Sequence, residues 1–596
     1  MRDSRRIWES DVQTVMTGRF KILATVVLCA VLCSCAGDGA KTICVVSTTD
    51  VHGCIFGNDL LTGTERPGSL AKIATLLKKE RRANRNLVYL DCGDNLQGSV
   101  EIYQDITAQY YRTSLPARAF RTLKCDAVTF GNHDLSVSPL SYERFCSELG
   151  DIPALGGNVC FSSYGDYMPA YTIVERDGIR MGILGLVTPK VNYSVPADRL
   201  DGLSVLDPVK AAQLYVPYLR DEEKVDLVIG LMHTGYVEGD EYEDGTCENA
   251  IPRILAQVPG FDLIMYGHDH EPACFKVVDC SGDSVLVMNA GPYARNAAVA
   301  MLTVERGQDG TLDVSTQGQL VDVSGLKPDR GFMMRLHGWY KDVRNYSDSI
   351  IGTVSEPLEC NGALWRPSTT VDFMHKMQLG FFGAEISLAA PVSSKTFIPA
   401  GDINIRDMFS VYQYDNTMVS VMLRGSEVKQ VLEYSADMYY YDVSTQPAHL
   451  LRLRKDPESD VSYPALAASG FVSAAGISYN IDVTKPYGER VEILSMSDGK
   501  PFEADRMYRT TINSYLYSGS GSAVLNAIGF SKEDMAARLN CSTEADIRFY
   551  MMSNLALARE TGMVVNTGHV SDWRLVPDNV VSGYLATDTV NFKLIE

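Results

Sequence analysis

Three features are missing from this sequence, and each absence argues against a class of function. The chain has no excess of basic residues, because 54 Lys and Arg stand against 74 Asp and Glu, a formal net charge of −20. Proteins that bind nucleic-acid polymers carry a basic footprint, so such a polymer is not expected as the main ligand. The cysteines form no Cys-x-x-Cys pair, which argues against a zinc ribbon. Internal repeats and low-complexity segments are also absent.

An apolar run near the N-terminus is too short to span a bilayer comfortably. It covers residues 22–32, follows Arg19 and Lys21, and precedes Cys33-Ser34-Cys35. A basic segment before a short apolar one is typical of an export signal. Leu32-Cys33-Ser34-Cys35 resembles a bacterial lipobox, which predicts a lipid on Cys35; an ordinary signal peptide cut nearby is the alternative. We expect an exported bacterial protein that is periplasmic or anchored to the outer membrane.

The length of the chain predicts more than one domain. A single core rarely grows beyond about 250–300 residues, and this chain has 596. From Lys41 to about Glu305, short apolar runs alternate with helical patterns, as in layered α/β proteins whose sheets are covered on both sides. The later pattern is α+β. We expect a targeting segment over residues 1–35, a first domain over 36–325, a linker helix over 326–352 and a second domain over 353–596.

The cysteines suggest one local disulfide and several core residues. Cys274 and Cys280 are close enough in sequence to pair across a hairpin, and an exported protein can form disulfides. Cys44 and Cys92 lie in apolar, strand-like runs, which predicts small buried residues instead. The pairing of the other cysteines stays open.

Polar motifs follow the predicted strands of the first domain, and they contain five of the nine histidines. They are Asp50-Val51-His52, Gly93-Asp94-Asn95, Gly131-Asn132-His133-Asp134, His233-Thr234-Gly235 and Gly267-His268-Asp269-His270. Because strand ends of one sheet converge, these side chains can share a pocket. One such histidine alone is more often a turn or core residue, but five motifs together predict a metal site. Mixed imidazole and carboxylate ligands suit Zn, Mn or Co.

These motifs resemble those of the calcineurin-like metallophosphoesterases, and within them the exported nucleotidases with an added C-terminal domain. The resemblance runs from about Lys41 to the C-terminus. It implies an α/β fold, a four-layer α/β/β/α sandwich with a smaller α+β C-terminal domain. It also implies two divalent metal ions. One would be held by Asp50, His52, Asp94 and His270, and the other by Asp94, Asn132, His233 and His268, with Asp94 bridging.

The chemistry of a two-metal site agrees with this resemblance. Two cations about 3.5–4 Å apart can clamp the attacking and leaving oxygens of a phosphoryl displacement. A cation also lowers the pKa of bound water to about 7, so a hydroxide nucleophile is available at neutral pH. No suitably framed Ser or Cys nucleophile is evident, and none is needed. His133 would stabilise the transition state or protonate the leaving alkoxide, with Asp134 holding its orientation.

Two tyrosines of the second domain are candidates for binding a base. Tyr414 lies in Tyr412-Gln413-Tyr414-Asp415-Asn416-Thr417, and Tyr515 lies in Asn513-Ser514-Tyr515. The resemblance implies that aromatic residues at these places stack on both faces of the base and that Asn416 also binds substrate. Stacking tolerates any base and is worth roughly 1–3 kcal/mol per base. Core or surface tyrosines are the alternative, since the chain has 31.

Two departures from the 5′-nucleotidase branch bear on the substrate. That branch carries Asn-x-Gly-Gly-Ile-Arg before the first aromatic motif, where this chain has Ile386-Ser387-Leu388-Ala389-Ala390-Pro391-Val392. It also carries Gly-Gly-Asp after the second motif, where this chain has Gly519-Ser520-Gly521 and no carboxylate. Both features are more similar to the periplasmic 2′,3′-cyclic-nucleotide 2′-phosphodiesterase/3′-nucleotidase branch. A carboxylate there would repel a phosphate on the 2′/3′ edge of ribose.

The sequence therefore predicts an exported dimetal phosphohydrolase. We expect it to cleave 2′,3′-cyclic nucleotides and 3′-nucleotides to nucleosides and phosphate through a metal-activated hydroxide. A 5′-nucleotidase or a broad nucleotide or nucleotide-sugar hydrolase on the same scaffold is the alternative. A thiosulfohydrolase-like enzyme and a lipoprotein that binds nucleotides without hydrolysing them are further alternatives. The expected partners are a nucleotide and, through a lipid on Cys35, a membrane.

Overall fold

The structure is a computed structural model of the 596-residue chain. It describes residues 40–107, 113–161, 166–195, 202–237, 239–242, 244–307, 311–393, 395–445, 447–455, 462–518 and 529–591. The predicted targeting segment and Cys35 lie outside these residues.

The first part of the chain alternates strands and helices as expected. Its strands are β1 (Lys41–Thr48), β2 (Leu87–Asp91), β3 (Ala127–Thr129), β4 (Ala154–Leu155), β5 (Val159–Phe161), β6 (Asp166–Tyr167), β7 (Tyr171–Arg176), β8 (Ile179–Val187), β9 (Leu203–Val205), β10 (Leu227–His233), β11 (Leu263–Tyr266), β12 (Ala273–Val278), β13 (Ser284–Asn289), β14 (Asn296–Arg306) and β15 (Leu312–Asp322). Its helices are α1 (Leu70–Ala83), α2 (Val100–Thr107), α3 (Leu115–Leu123), α4 (Asn132–Ser136), α5 (Pro139–Leu149), α6 (Val191–Ser194), α7 (Pro208–Asp221) and α8 (Ile251–Gln257).

Two sheets pack face to face in this part. One has the strand order β15–β14–β1–β2–β3–β4 and the other β12–β13–β11–β10–β8–β7. Side chains such as Val45 and Leu90 of the first sheet and Ile229 of the second form the apolar layer between them. The outer faces are covered by helices, with Phe120 of α3 on one side and Leu219 of α7 on the other. The expected α/β/β/α sandwich is thus confirmed.

Strand direction brings the polar motifs to the edges of the sheets. β1, β2 and β3 run parallel, and so do β8, β10, β11 and β13. The residues of β2 and of β10 are buried along the whole strand, as expected for strands covered on both faces. The turns after β1, β2, β3 and β11, together with His233 at the end of β10, therefore carry the predicted metal ligands at the carboxyl ends of parallel strands.

The segment predicted as one linker helix contains two helices. These are α9 (Arg330–Arg335) and α10 (His337–Ser347). The next strand, β16 (Ile350–Val354), pairs with β20 (Gly401–Asn404) of the second domain and crosses the expected boundary between residues 352 and 353. We propose that the second domain begins at Ile350.

The second domain is α+β, as the sequence predicts. Its other strands are β17 (Leu358–Glu359), β18 (Ile386–Ala389), β19 (Phe397–Ile398), β21 (Thr417–Arg424), β22 (Leu453–Lys455), β23 (Ser462–Pro464), β24 (Ser473–Ala475), β25 (Ile477–Asp482), β26 (Val491–Met496), β27 (Met507–Asn513), β28 (Leu539–Asp546) and β29 (Asp572–Val576). Its helices are α11 (Thr369–Phe381), α12 (Ile405–Val411), α13 (Gly425–Tyr439), α14 (Ser514–Ser518), α15 (Lys532–Arg538), α16 (Ile547–Glu560) and α17 (Asp578–Asn591), with short 3₁₀ turns at Val443–Thr445 and Ala468–Gly470.

The central sheet of this domain has the order β24–β18–β27–β21–β28. Val428, Val431 and Leu432 lie on one face of α13 and join the core that covers this sheet. Asp546 caps the N-terminus of α16, since its side chain accepts a hydrogen bond from the amide of Phe549.

The disulfide suggested between Cys274 and Cys280 is wrong. Both thiols are free and exposed. Cys274 lies in β12 opposite Met288 of β13, and its sulfur points towards Gly318 of β15 rather than along the hairpin. The expected burial of Cys44 and Cys92 in the core is confirmed.

Candidate metal centre

The turns that carry the metal-binding motifs share an unusual backbone conformation. Non-glycine residues rarely adopt a positive φ, and residues that do so concentrate at functional sites. Five predicted ligands have this conformation: Asp50 (φ 49°), His52 (46°), Asp94 (61°), His268 (87°) and His270 (59°). The backbone is thereby turned sharply at each strand end, so that successive side chains of a short motif point to the same pocket.

Four predicted ligands form a tight cluster. Asp50, His52, Asp94 and His270 each offer one ligand atom, and these atoms all lie within 4.8 Å of one another. Nε2 of His270 lies 3.2 Å from Oδ1 of Asp50 and 3.2 Å from Nε2 of His52. Nδ1 of His52 contacts the carbonyl of Gln97 at 3.1 Å, which leaves Nε2 to face the cluster. This set fits a divalent cation, the group that the sequence predicts here.

His233 adjoins this cluster. Its Nε2 lies 3.2 Å from Oδ2 of Asp94 and 3.9 Å from Oδ1 of Asp50. Its Nδ1 contacts the carbonyl of Cys92 at 2.6 Å, so the ring is fixed with Nε2 turned inward. The ring of His268 lies 5.3 Å from that of His233. The structure thus brings His233 and His268 next to the first four residues.

Three buried atoms test whether a cation fits. Asp50 Oδ1, Asn132 Oδ1 and His233 Nε2 have no hydrogen-bond partner within the described parts of the chain. A buried polar atom without a partner costs free energy, so each such atom requires an explanation. All three belong to residues predicted as metal ligands, Asp50 in the first set and Asn132 and His233 in the second. Divalent cations at the two predicted positions would satisfy these atoms.

The charges in the pocket also favour a bound cation. Burial acts to raise the pKa of Asp50, but His233 and His270 outweigh it and lower that pKa to about 2. Burial also acts to lower the pKa of His233, and Asp94 and Asp50 overcome it and raise that pKa to about 10. The two buried carboxylates therefore favour positive charge between them, as a cation site requires.

Close packing at two glycines keeps the ligands together. A Cβ on Gly131 would lie 1.9 Å from Oδ1 of Asp94, and one on Gly267 would lie 2.6 Å from Oδ2 of Asp50. Real atoms do not approach so closely, so only glycine lets these turns pass directly behind the carboxylates.

His133 and Asp134 lie beside the cluster but have separate positions. The ring of His133 lies 5.4 Å from that of His52, and its backbone amide donates to Oδ1 of Asp94 at 2.9 Å. The carboxylate of Asp134 instead accepts hydrogen bonds from four backbone amides, those of Asp94, Asn95, Leu96 and Gly131, at 2.7–2.9 Å. The idea that Asp134 orients the ring of His133 is therefore corrected: Asp134 holds the turn after β2.

Two polar residues of this site were not predicted. Oε1 of Glu248 contacts Nε2 of His268 at 2.9 Å and Nζ of Lys190 at 2.5 Å. Burial acts to raise the pKa of Glu248, but His268 and Lys190 outweigh it and lower that pKa to about 2. Glu248 belongs to no motif and follows no predicted strand. Lys190 lies in the turn after β8, but no histidine or carboxylate accompanies it there, so neither residue stands out in the sequence.

The predicted substrate tyrosines lie near the cluster and near each other. Tyr414 and Tyr515 are 48% and 42% exposed. Burial, and then the neighbouring Tyr414, raises the pKa of Tyr515. The ring of Tyr293 lies 5.8 Å from that of His52 and 6.0 Å from that of His270. Burial, then Cys54 and then Tyr414 raise the pKa of Tyr293.

Tyr293 was also missed, although a signal existed. It follows β13 directly, in Asn289-Ala290-Gly291-Pro292-Tyr293, and its φ is 62°. The rule that selected the histidines, a turn at the end of a parallel strand, applies equally to this tyrosine.

Asn416 has a supporting role in the structure. Its side-chain amide donates to the hydroxyl of Tyr412 at 3.1 Å, as does that of Asn513 at 3.2 Å. The segment Gly519-Ser520-Gly521, on which the choice of branch rests, lies outside the described residues. Within the described ranges, no helix is both long and apolar enough to cross a membrane.

The turn that carries Tyr414 is supported from behind by Arg548. The buried guanidinium donates to the carbonyl of Tyr412 at 2.9 Å and contacts the carboxylate of Asp415. Its carbon lies 3.9 Å from the ring centroid of Phe409 and 4.4 Å from that of Tyr103 in α2. Because Tyr103 belongs to the first domain, this cluster also joins the two domains.

The sandwich fold and its cluster of carboxylates and imidazoles define a metal-dependent phosphoester hydrolase. Residues 45–272 match the family model for the calcineurin-like phosphoesterases, and residues 350–527 match that for the 5′-nucleotidase C-terminal domain. The chain therefore belongs to the calcineurin-like phosphoesterases that carry a 5′-nucleotidase C-terminal domain. The family resemblance inferred from the sequence is confirmed.

Relatives extend this similarity over most of the chain. It is 24% identical over 535 residues to the trifunctional nucleotide phosphoesterase protein YfkN of Bacillus subtilis, which covers 80% of this chain but only 36% of YfkN. It is 24% identical over 540 residues to a 2′,3′-cyclic-nucleotide 2′-phosphodiesterase/3′-nucleotidase of Haemophilus influenzae, covering 80% of each. The fold is similar to that of a candidate 5′-nucleotidase from Staphylococcus aureus solved with α-ketoglutarate, with a TM-score of 0.68, 19% identity, and coverage of 90% of this chain and 100% of that one.

Proposed function

We propose that the protein is an exported nucleotidase that hydrolyses 2′,3′-cyclic nucleotides and 3′-nucleotides to nucleosides and phosphate. The observation that carries this proposal is the half-exposed pair Tyr414 and Tyr515 together with Tyr293, whose ring lies 6.0 Å from that of His270 in the candidate metal site and whose pKa Tyr414 helps to raise. A base stacked on the tyrosines would present its sugar phosphate to the cluster. The Haemophilus influenzae relative, which carries this activity in its name, supports the choice of substrate.

We propose that the site holds two divalent ions, with Zn, Mn and Co as candidates. Asp50, His52, Asp94 and His270 would hold one, and Asp94, Asn132, His233 and His268 the other. When bound, the ions would supply an activated water nucleophile and neutralise charge on the phosphoryl oxygens. The body of the protein is acidic, so an anionic substrate needs such a local positive centre.

His133 is the proposed catalytic residue beside the ligands. Burial lowers its pKa to about 4, so the ring is neutral at pH 7 and can donate one N–H to an oxygen of the substrate. That donor would stabilise negative charge as it develops on the leaving oxygen. Asp134 would act indirectly, because its carboxylate holds the turn that carries Asp94 and Asn95.

The proposed reaction has two hydrolytic steps. In the first, water adds to phosphorus, the bond from phosphorus to O2′ breaks, and O2′ takes up a proton to give the 3′-nucleotide. In the second, another water displaces O3′ and releases phosphate and the nucleoside. The absence of a carboxylate in Gly519-Ser520-Gly521 supports this orientation, because a negative charge near the 2′/3′ edge would repel the phosphate.

A comparison of three substrates tests the proposal. The purified protein, loaded with Mn²⁺, is given 2′,3′-cAMP, 3′-AMP and 5′-AMP in parallel, and adenosine and phosphate are quantified. We expect both 2′/3′ substrates to have higher kcat/KM values than 5′-AMP. Faster hydrolysis of 5′-AMP would instead support a 5′-nucleotidase, the alternative that the match of the second domain favours.

The cellular location is proposed from the sequence alone. The basic and apolar segment before Cys35 supports export, with a lipid on Cys35 as the anchor. Labelling cells with a fatty-acid analogue should mark the protein, and Cys35→Ala should abolish the label. Secretion of an unlabelled wild-type protein would support the ordinary signal peptide.

A further inference from the structure

Glu248 lies behind the second group of metal ligands and contacts no proposed substrate position. Its side chain is largely buried, in the irregular segment that precedes α8. The carboxylate contacts Nε2 of His268 at 2.9 Å and Nζ of Lys190 at 2.5 Å. The other carboxylate oxygen accepts the backbone amide of Asp240 at 3.3 Å. The carboxylate is therefore held from several directions.

The backbone of Glu248 is tied to the other histidine of the group. Its carbonyl accepts hydrogen bonds from the hydroxyls of Thr188 and Thr234, both at 2.8 Å. Thr234 follows His233 directly in the chain, and the amide of Thr188 donates to the carbonyl of His233 at 2.8 Å. One residue is thus linked to His233 through its backbone and to His268 through its side chain.

The contact with Glu248 determines which nitrogen of His268 remains available. A carboxylate only accepts hydrogen bonds, so Nε2 must carry the proton that is shared with Glu248. The backbone amide of His268 donates to Oδ2 of Asp50 at 3.1 Å, so the backbone of His268 is held against a ligand of the first group. Nδ1 is then the nitrogen with a free lone pair.

We propose that Glu248, supported by Lys190, is a positioning residue for the second metal ion: it fixes the tautomer and the orientation of His268 so that Nδ1 serves as the ligand. The inference rests on the proposed assignment of His233 and His268 to one metal. A carboxylate behind a ligating imidazole orients the ring and makes it a better ligand, and loss of such a partner costs about 10–100-fold in metal affinity.

Metal binding to the full chain tests this role without reference to turnover. Protein stripped by a chelator is titrated with Mn²⁺ and followed by calorimetry and by electron paramagnetic resonance, which separates an isolated Mn²⁺ from a coupled pair. The variants are Glu248→Ala and Glu248→Gln. Glu241→Gln is the matched control, since Glu241 lies in the same segment, is exposed and, within the described residues, forms an ion pair with Arg253 alone.

The expected result is selective. Wild type and Glu241→Gln should bind two ions and give the coupled signal. Glu248→Ala should keep one ion at its original affinity and bind the other about 10–100-fold more weakly. Glu248→Gln should fall between them, because its amide oxygen still accepts from Nε2 but lacks the charge.

Two outcomes would overturn the proposal, and a third would overturn its basis. Unchanged affinity for both ions in Glu248→Ala would remove the role of Glu248. An equal loss at both sites together with a lower melting temperature would show that Glu248 only stabilises the fold. A wild type that binds a single ion would contradict the two-metal assignment itself, whatever the variants do.

Discussion

The candidate metal site and the pair of proposed substrate tyrosines are built in opposite ways. Asp50, His52 and Asp94 of the cluster are buried and only His270 is exposed to solvent, and the four ligand atoms lie within 4.8 Å of one another. The turns of the cluster have left-handed backbone. The tyrosines are 48% and 42% exposed, and they lie on a turn and on the short helix α14 of the other domain. The first region is fixed before any ligand arrives, whereas the second offers open aromatic faces.

From this difference we infer that one region performs the chemistry and the other selects the substrate. A site that stabilises charge must be rigid and shielded from water, because fixed groups then need no reorganisation during the reaction. A site that stacks a base needs only flat surfaces, which accept any base. The domains are nevertheless connected, since α14 packs on α6, and α6 packs on α4, the helix that carries His133.

The largest effect is expected from a change in the cluster. Asp94→Asn removes the charge that His233 contacts at 3.2 Å and that the proposed ions share. We expect kcat to fall about a thousandfold on every phosphoester, since a loss of about 4 kcal/mol in charge stabilisation corresponds to that factor. Steady-state kinetics on 3′-AMP and on ribose 3-phosphate measure this, together with the metal content.

Asp372→Asn is the control for that change. It removes another fully buried carboxylate, one in the second domain that contacts His569 at 2.6 Å. Its metal content should match the wild type. Retention of two ions and of full activity by Asp94→Asn would contradict the bridging role.

The next effect concerns the support behind Tyr414. Arg548→Ala removes a fully buried guanidinium and leaves the partly exposed carboxylate of Asp415 without its partner. Breaking a fully buried pair costs about 3–5 kcal/mol, and the loss here should be smaller because water still reaches Asp415. We expect a lower free energy of unfolding and a higher KM for 3′-AMP. Denaturant unfolding and kinetics measure the two effects.

Arg559→Ala is the matched control, because Arg559 lies on the same helix and is exposed. It should change neither quantity. A variant at Arg548 that is destabilised but keeps the wild-type KM would show that the cluster supports the fold without positioning Tyr414.

A pH effect should weaken the domain of the tyrosines without touching the metal ligands. Burial lowers the pKa of His375 from 6.5 to about 4. Between these two pH values His375 binds a proton in the unfolded chain but not in the folded chain. The contribution of neutral His375 to the free energy of unfolding is therefore complete above pH 6.5 and is lost as the pH falls towards 4. The loss amounts to about 3 kcal/mol.

Unfolding of wild type and His375→Gln at pH 7 and pH 4.5 measures this loss. The difference in stability between the two pH values should be smaller in His375→Gln by about 2–3 kcal/mol. The exposed His337→Gln should behave as wild type. An identical pH dependence in His375→Gln and wild type would show that protonation of His375 does not cause this loss of stability.

The sequence predicted the sandwich and brought the right motifs together, because both follow from short-range patterns. Buried strands are read from apolar runs, and the ends of parallel strands converge for any such fold. The ligands of the cluster could therefore be proposed before their distances were known. Cys44 and Cys92 were placed in the core for the same reason.

The contacts that were not predicted, or were predicted wrongly, depend on three-dimensional geometry that short-range sequence patterns do not contain. Glu248 contacts Lys190 across 58 positions and His268 across 20, from a segment without a motif. Asp134 follows His133 in α4, and consecutive residues on a helix do not face each other, so adjacency in sequence wrongly suggested contact. The hairpin cysteines failed likewise, since Cys274 points to β15.

On the proposal above, the first domain performs the chemistry and the tyrosines of the second select the nucleotide. The most direct test is the kcat/KM for 3′-AMP relative to that for ribose 3-phosphate, which keeps the ester and lacks the base, in the double variant Tyr414→Ala, Tyr515→Ala. Loss of stacking worth about 1–3 kcal/mol predicts that this ratio falls about 5–150-fold, through KM, while hydrolysis of ribose 3-phosphate is unchanged. Equal losses on both substrates, or an unchanged ratio, would contradict the claim.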